Sequence, residues 1–142
     1  MKVTGEYEFP SREDTDMHLP EKLLGFCIFC FVSFGAAIVG AVLLKNLFIF
    51  LLIFAVIMLT VGVLAFLCWK NQMIVIRSEE DFYYRTFIGN VYRIRFSDIQ
   101  KVKQNVDSIQ LILPERLVHI ESMAVVSPKL RCRIEQVRAQ LR

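Results

Sequence analysis

Two stretches of this sequence contain no charged residue: residues 23–44 and residues 47–69. Transport paths and proton relays inside a membrane rest on ionisable side chains, so transporter and channel readings lack their required parts. Histidine is scarce too, with only His18 and His119 in 142 residues. There is no glycine-rich phosphate loop, no carboxylate pair at a telling spacing, and no cluster of histidine with cysteine. An active site needs a nucleophile with its base, or a set of metal ligands. No catalytic, cofactor-binding or metal-binding residue is therefore assigned, and the chain is expected not to be an enzyme. His18 reads as a solvated histidine close to the first apolar run, where a pH sensor is the sharper alternative.

Cysteine supports no disulfide framework. Three of the four, Cys27, Cys30 and Cys68, fall inside apolar runs, and Cys132 lies near the C-terminus. Cys27 and Cys30 have redox or zinc spacing, but that chemistry needs thiolates, which hydrocarbon penalises heavily. They are expected to be small apolar helix residues.

What is present divides the chain into three parts. Residues 1–22 carry three basic and six acidic side chains, with Pro10 and Pro20 among them. This acidic segment shows no sustained period, although Tyr7 and Phe9 alternate with Glu6 and Glu8 as a short strand would. Residues 23–69 hold the two apolar runs, divided by Lys45 and Asn46. Each run meets the roughly 20 residues a helix needs to cross a bilayer. Lys45 can reach the headgroups and Asn46 suits a turn, so a transmembrane hairpin of residues 23–44 and 47–69 is expected. Ser33, Ala36, Ala37, Gly40 and Ala41 form a small-residue surface on the first helix. They fit either packing within the hairpin, against Ala55, Gly62 and Ala65, or a contact with a second copy.

Basic residues near the helix ends set orientation. Arg12 and Lys22 precede the hairpin, Lys70, Arg77 and Arg85 follow it, and the turn offers only Lys45. The expectation is a multi-pass protein of the cell membrane with both termini cytoplasmic and Trp69 at the interface.

Residues 70–142 carry thirteen basic and eight acidic side chains. Apolar residues now recur with period two, which predicts strands over 73–76, 81–87, 91–96, 99–106, 108–113 and 116–120. Gly89 and Asn90 mark one turn and residues 105–108 another. Glu79, Glu80 and Asp81 read as a solvated turn, and Asp98 as a turn-capping carboxylate. Ser127 and Pro128 then open a helix, with Leu130, Ile134, Val137 and Leu141 on one stripe. The order is an antiparallel meander, or partly open barrel, closed by one C-terminal helix.

A strand running into Phe96, Ser97, Asp98 and Ile99, with Val102 three residues on, resembles the short signature of bacterial membrane-anchored pleckstrin-homology-like (PH-like) domains. The resemblance covers residues 70–142. It implies an α+β PH-like domain behind a transmembrane pair, and a seventh strand beyond the six read here. That strand is sought in residues 121–126 or 7–9, or is absent.

The basic side chains Arg77, Arg85, Arg93, Arg95, Lys101 and Lys103 gather in the first four strands, and alternation places Arg93 and Arg95 on one face. They are candidates for contact with anionic lipid headgroups or a protein partner, against the plainer reading of a solvated face. Nucleic acid is not an expected partner. Two functions remain. One is a non-enzymatic membrane-anchored adaptor whose PH-like domain binds a protein, the membrane surface or copies of itself. The other is a small accessory subunit of a larger, transporter-type membrane complex.

Overall fold

The computed structural model describes residues 8–141. The chain divides into two units, Glu21–Lys70 and the described parts of Met1–Pro20 with Asn71–Arg142.

The first unit is a pair of helices, α1 (Glu21–Leu43) and α2 (Phe48–Asn71), joined by a 3₁₀ turn at Lys45–Leu47. Leu44 breaks the helix, with φ −107° and ψ 75°. At 1.5 Å per residue each helix is about 35 Å long, enough for a ~30 Å hydrocarbon core. Both are long and apolar enough to cross a membrane. Small residues line the seam between them. Cys27, Cys30, Ala37, Ala41 and Ala55 are buried. A Cβ on Gly62 would stand 3.1 Å from Cys30 Cβ, and one on Gly40 would stand 3.3 Å from Leu51 Cδ1. Backbones this close leave no room for larger side chains.

The second unit consists of two antiparallel sheets and a helix. The strands are β1 (Met17–His18), β2 (Met73–Ile76), β3 (Asp81–Arg85), β4 (Val91–Arg95), β5 (Lys101–Gln104), β6 (Ser108–Ile112), β7 (Leu117–Glu121) and β8 (Val125–Val126). They form one sheet in the order β4-β3-β2-β1-β8 and another in the order β5-β6-β7. Helix α3 (Pro128–Gln140) follows. Its predicted cap is present: Ser127 Oγ accepts the Leu130 amide at 3.1 Å. Leu130, Ile134 and Val137 are buried, whereas Leu141, past the last helical turn, is exposed.

The inner faces meet in one core. Register places Met17, Ile74 and Tyr84 in one row and Ile76, Phe82 and Ile94 in the next. Val102, Leu111 and Val118 form the matching row of the second sheet. Phe82, Ile74, Leu111, Val118 and Leu130 are completely enclosed. Each such side chain contributes about 2 kcal/mol by leaving water.

The N-terminal segment is part of this sheet. Met17 pairs with Ile74 on one side and Val126 on the other, and His18 pairs with Met73 and Val125. The strand sought at residues 7–9 is not seen: Tyr7 lies outside the described residues and Phe9 is not in a strand. Met17–His18 takes that place, and residues 121–126 supply β8 as well. Two residues are too few to show a period, and Pro20 ends the strand at once, so the sequence carries no sign of it. The predicted strand over 81–87 stops at Arg85 because Thr86 begins the turn, its carbonyl accepting the Gly89 amide at 2.8 Å. Gly89 has φ +97°, which favours glycine.

Phe96–Asp98 is a 3₁₀ turn carrying the chain from the first sheet to the second. Phe96 packs on Phe82 with ring centroids 4.9 Å apart, and Ile99 is buried. Ser97 is exposed and leads the chain round. The short sequence signature therefore marks the crossover between sheets.

Candidate functional site

The basic residues divide into two sets. Tyr83 stands opposite Arg93, Asp81 opposite Arg95, and Arg85 opposite Val91, so these side chains share the outer face of the first sheet. Arg77 follows β2 at the same end as Asp81 and is exposed. Lys101 and Lys103 lie on the other sheet, opposite Ile112 and Gln110. Arg93 and Arg95 do share a face, but the six candidates do not form one patch.

Arg93 and Arg95 are both engaged. Arg93 Nε donates to Asp81, and Arg95 Nε donates to Asp98 at 3.4 Å. Asp98 therefore receives a side chain and does not cap the turn through a backbone amide. Asp81 is not part of a solvated turn either. Glu79 and Glu80 are exposed, but Asp81 is 3% exposed and opens β3. Its carboxylate accepts the Ser78 hydroxyl, whose oxygen in turn accepts the Asp81 amide at 3.2 Å. The Ser78 hydrogen bond, then Arg93, holds this carboxyl below the usual carboxylate range, and burial opposes them. Asp81 raises the Arg93 guanidinium above its ordinary value. Arg93 keeps most of its surface in solvent, so this face can still present positive charge.

An open cleft of about 330 Å³ lies between α3 and the β5–β6 end of the second sheet. Val102, Ile109, Ile120 and Ile134 form its floor, with Gln104, Glu121, Arg131 and Arg138 around it. Arg138 donates to Gln104 Oε1 at 2.6 Å across the opening. It holds both charge signs but brings no nucleophile beside a base. Among the described residues no group of three or more metal-ligating side chains gathers anywhere. His119, the histidine of β7, faces Glu121 at 3.2 Å.

One end of the sheet unit has a different character. His18 and Met73, where the chain leaves and returns, are paired neighbours. Beside them are Arg85 and the β3–β4 turn, whose Phe87 carbonyl accepts from Asn71 Nδ2 at 2.7 Å. Phe87 and Ile88 are exposed, as are Val125 and Met123 on the adjoining β7–β8 segment. The Ser122 amide, in that same turn, donates to Asp107 at 2.9 Å, next to exposed Val106. Sequence reasoning named His18 and Arg85 but passed over Phe87, Ile88, Val106, Met123 and Val125. The available signal was an apolar pair, Phe87 and Ile88, just before a turn glycine, where polar residues are the rule.

No protein-family model, curated protein or solved structure matches this chain.

Proposed function

We propose that this protein is a non-enzymatic adaptor of the cell membrane. The hairpin anchors it by two passes with both termini cytoplasmic, and a PH-like domain supplies the interaction surface. The observation that carries the reading is the placement of the apolar segment between paired strands. β1 ends two residues before α1, and β2 begins one residue after α2. An interaction domain is thereby fixed by two short tethers to a pair of helices that present Phe29, Val42, Ile49 and Phe50 outward. So much exposed apolar surface is unsuited to water and suited to lipid. The PH-like assignment is supported by two antiparallel sheets, the Phe96–Asp98 crossover and the closing helix. Tyr83, Arg93 and Arg95 form the face offered to an acidic partner.

The test is site-specific photocrosslinking in native membranes. A crosslinker at Arg95 should give a discrete protein adduct, lost when Arg93→Glu is added, while one at Lys103 should not. Absence of any protein adduct from either position would remove the adaptor reading.

A second reading, an accessory subunit of a membrane complex, is favoured by Gly35 and Ala36. Gly35 has open space beside it and Ala36 is exposed, so another helix could approach there.

A further inference from the structure

We infer that one rim of the sheet unit, centred on Phe87 and Ile88, is immersed in the interfacial layer of the bilayer. The inference rests on the membrane-anchoring reading above and names the surface and ligand class that the reading leaves open: phospholipid, engaged through its headgroups and upper acyl chains.

The first argument is tether length. His18 and Glu21 are separated by Leu19 and Pro20, and Asn71 and Met73 by Gln72. An extended chain advances at most ~3.6 Å per residue. The His18–Met73 rim therefore lies within roughly 10 Å of both helix ends, whatever the angle of the domain. Headgroups add about 5–8 Å on each side of the hydrocarbon. The tethers therefore keep the rim in or next to the headgroup layer.

The second argument is composition. Among the described residues of the sheet unit, seven large apolar side chains are exposed: Phe87, Ile88, Val106, Leu117, Met123, Val125 and Leu141. Five of them, all but Leu117 and Leu141, belong to this rim or to the turns bonded to it. Random exposure of single apolar residues is ordinary, but concentration at the tethered end is what an interfacial surface requires. The β3–β4 turn is also held in place. Asn71 Nδ2 binds the Phe87 carbonyl at 2.7 Å, and the Thr86 amide donates to the Asn90 carbonyl at 2.9 Å. Arg85, at the base of that turn, stands over the Phe9 ring at 5.8 Å from its centroid, with its guanidinium beside Gly89. The acidic residues Glu79 and Glu80 lie in the β2–β3 turn at the opposite end of the strands, away from an anionic surface.

The assignment also relocates lipid contact. Arg95 stands opposite Asp81, at the acidic end of the sheet, so the pair Arg93 and Arg95 is left for a protein partner.

Depth-dependent fluorescence quenching tests this on the full chain in phosphatidylcholine–phosphatidylglycerol vesicles with lipids doxyl-labelled near the headgroup. Trp69 is the single tryptophan, so the native protein reports the anchor. In a Trp69→Phe background, Ile88→Trp reports the rim and Glu80→Trp the opposite end. The proposal expects strong quenching at position 88, at least threefold that at position 80, with a blue-shifted emission. Quenching of Trp69 with none at position 88 would overturn the rim assignment and leave the anchor standing. No quenching of Trp69 would overturn the anchor, and the rim assignment with it. Ile88 is 68% exposed, so the larger indole needs no repacking.

Discussion

The Asp16 carboxylate holds the Ser127 hydroxyl at 2.7 Å, joining residues 111 positions apart in the chain. Its other oxygen accepts the Ile76 amide, also at 2.7 Å. Ser127 in turn caps α3. One side chain from the N-terminal segment thus locks β1 to β2 and to the start of the last helix. Asp16→Ala should cost about 2–3 kcal/mol, because it leaves two donors without a partner. Ser127→Ala should cost about 1–2 kcal/mol. Thermal unfolding in detergent of both single variants and the double variant checks this. The double should lose less than the sum, since the two residues act together.

Asp81 gives a pH dependence with a definite sign. Its carboxyl is held below its ordinary value in the folded protein. The resulting stability is complete above the unfolded value, near pH 4, and fades as pH falls through the lower folded value. Ser78→Ala should cost about 2 kcal/mol at pH 7. Denaturant midpoints taken from pH 7 down to pH 2 should converge for the two proteins at the acid end. A constant gap throughout would mean that Ser78 acts through the turn alone.

Gly62 and Ala36 separate packing within the hairpin from packing outside it. Gly62→Val sets a branched side chain against Cys30, where a Cβ alone already stands at 3.1 Å. It should push the helices apart and cost about 1–3 kcal/mol, read as a lower melting temperature of the full chain. Ala36→Leu should leave that temperature unchanged, and would abolish activity only if α1 meets a partner helix. Gly40→Leu is unsuitable for the same purpose because Leu51 lies against it.

The register also predicts which fragment folds. Residues 70–142 alone lack β1, and with it the buried Met17 and the Asp16 clasp. This fragment should be poorly folded. Joining His18 to Met73 through an Asn-Gly turn, in place of residues 19–72, should give a soluble folded domain, because the two residues are already an antiparallel pair. Dispersed amide resonances in the second protein and not in the first would bear this out.

Much of the fold was legible because it is periodic. The uncharged runs gave α1 and α2, and alternation around Phe82, Ile94 and Leu111 gave the strands and their inward faces. Ser127 and Pro128 announced α3. The remainder was hidden for identifiable reasons. Met17–His18 has no period to read, and its role depends on Ile74 and Val126, far along the chain. Asp81 looked like the third member of an acidic turn, and only the cross-strand position of Arg93 and the adjacent Ser78 make it a buried ionised group. The basic candidates were grouped by sequence proximity, which cannot report that Lys101 and Lys103 fall beyond the crossover at Phe96–Asp98.

The insertion of the helices between β1 and β2 also orders the protein's own assembly. β1 is synthesised first, and both strands that flank it are made only after the helices. At about 5–20 residues per second, β1 waits several seconds for β2 and longer for β8. It can meet them only if α1 and α2 have turned back to the side from which they set out. On the anchored reading proposed above, a chain whose second helix failed to return would keep Met17 from Ile74, and the sheet could not close. Closure of the sheet around β1 therefore depends on the return of the second helix.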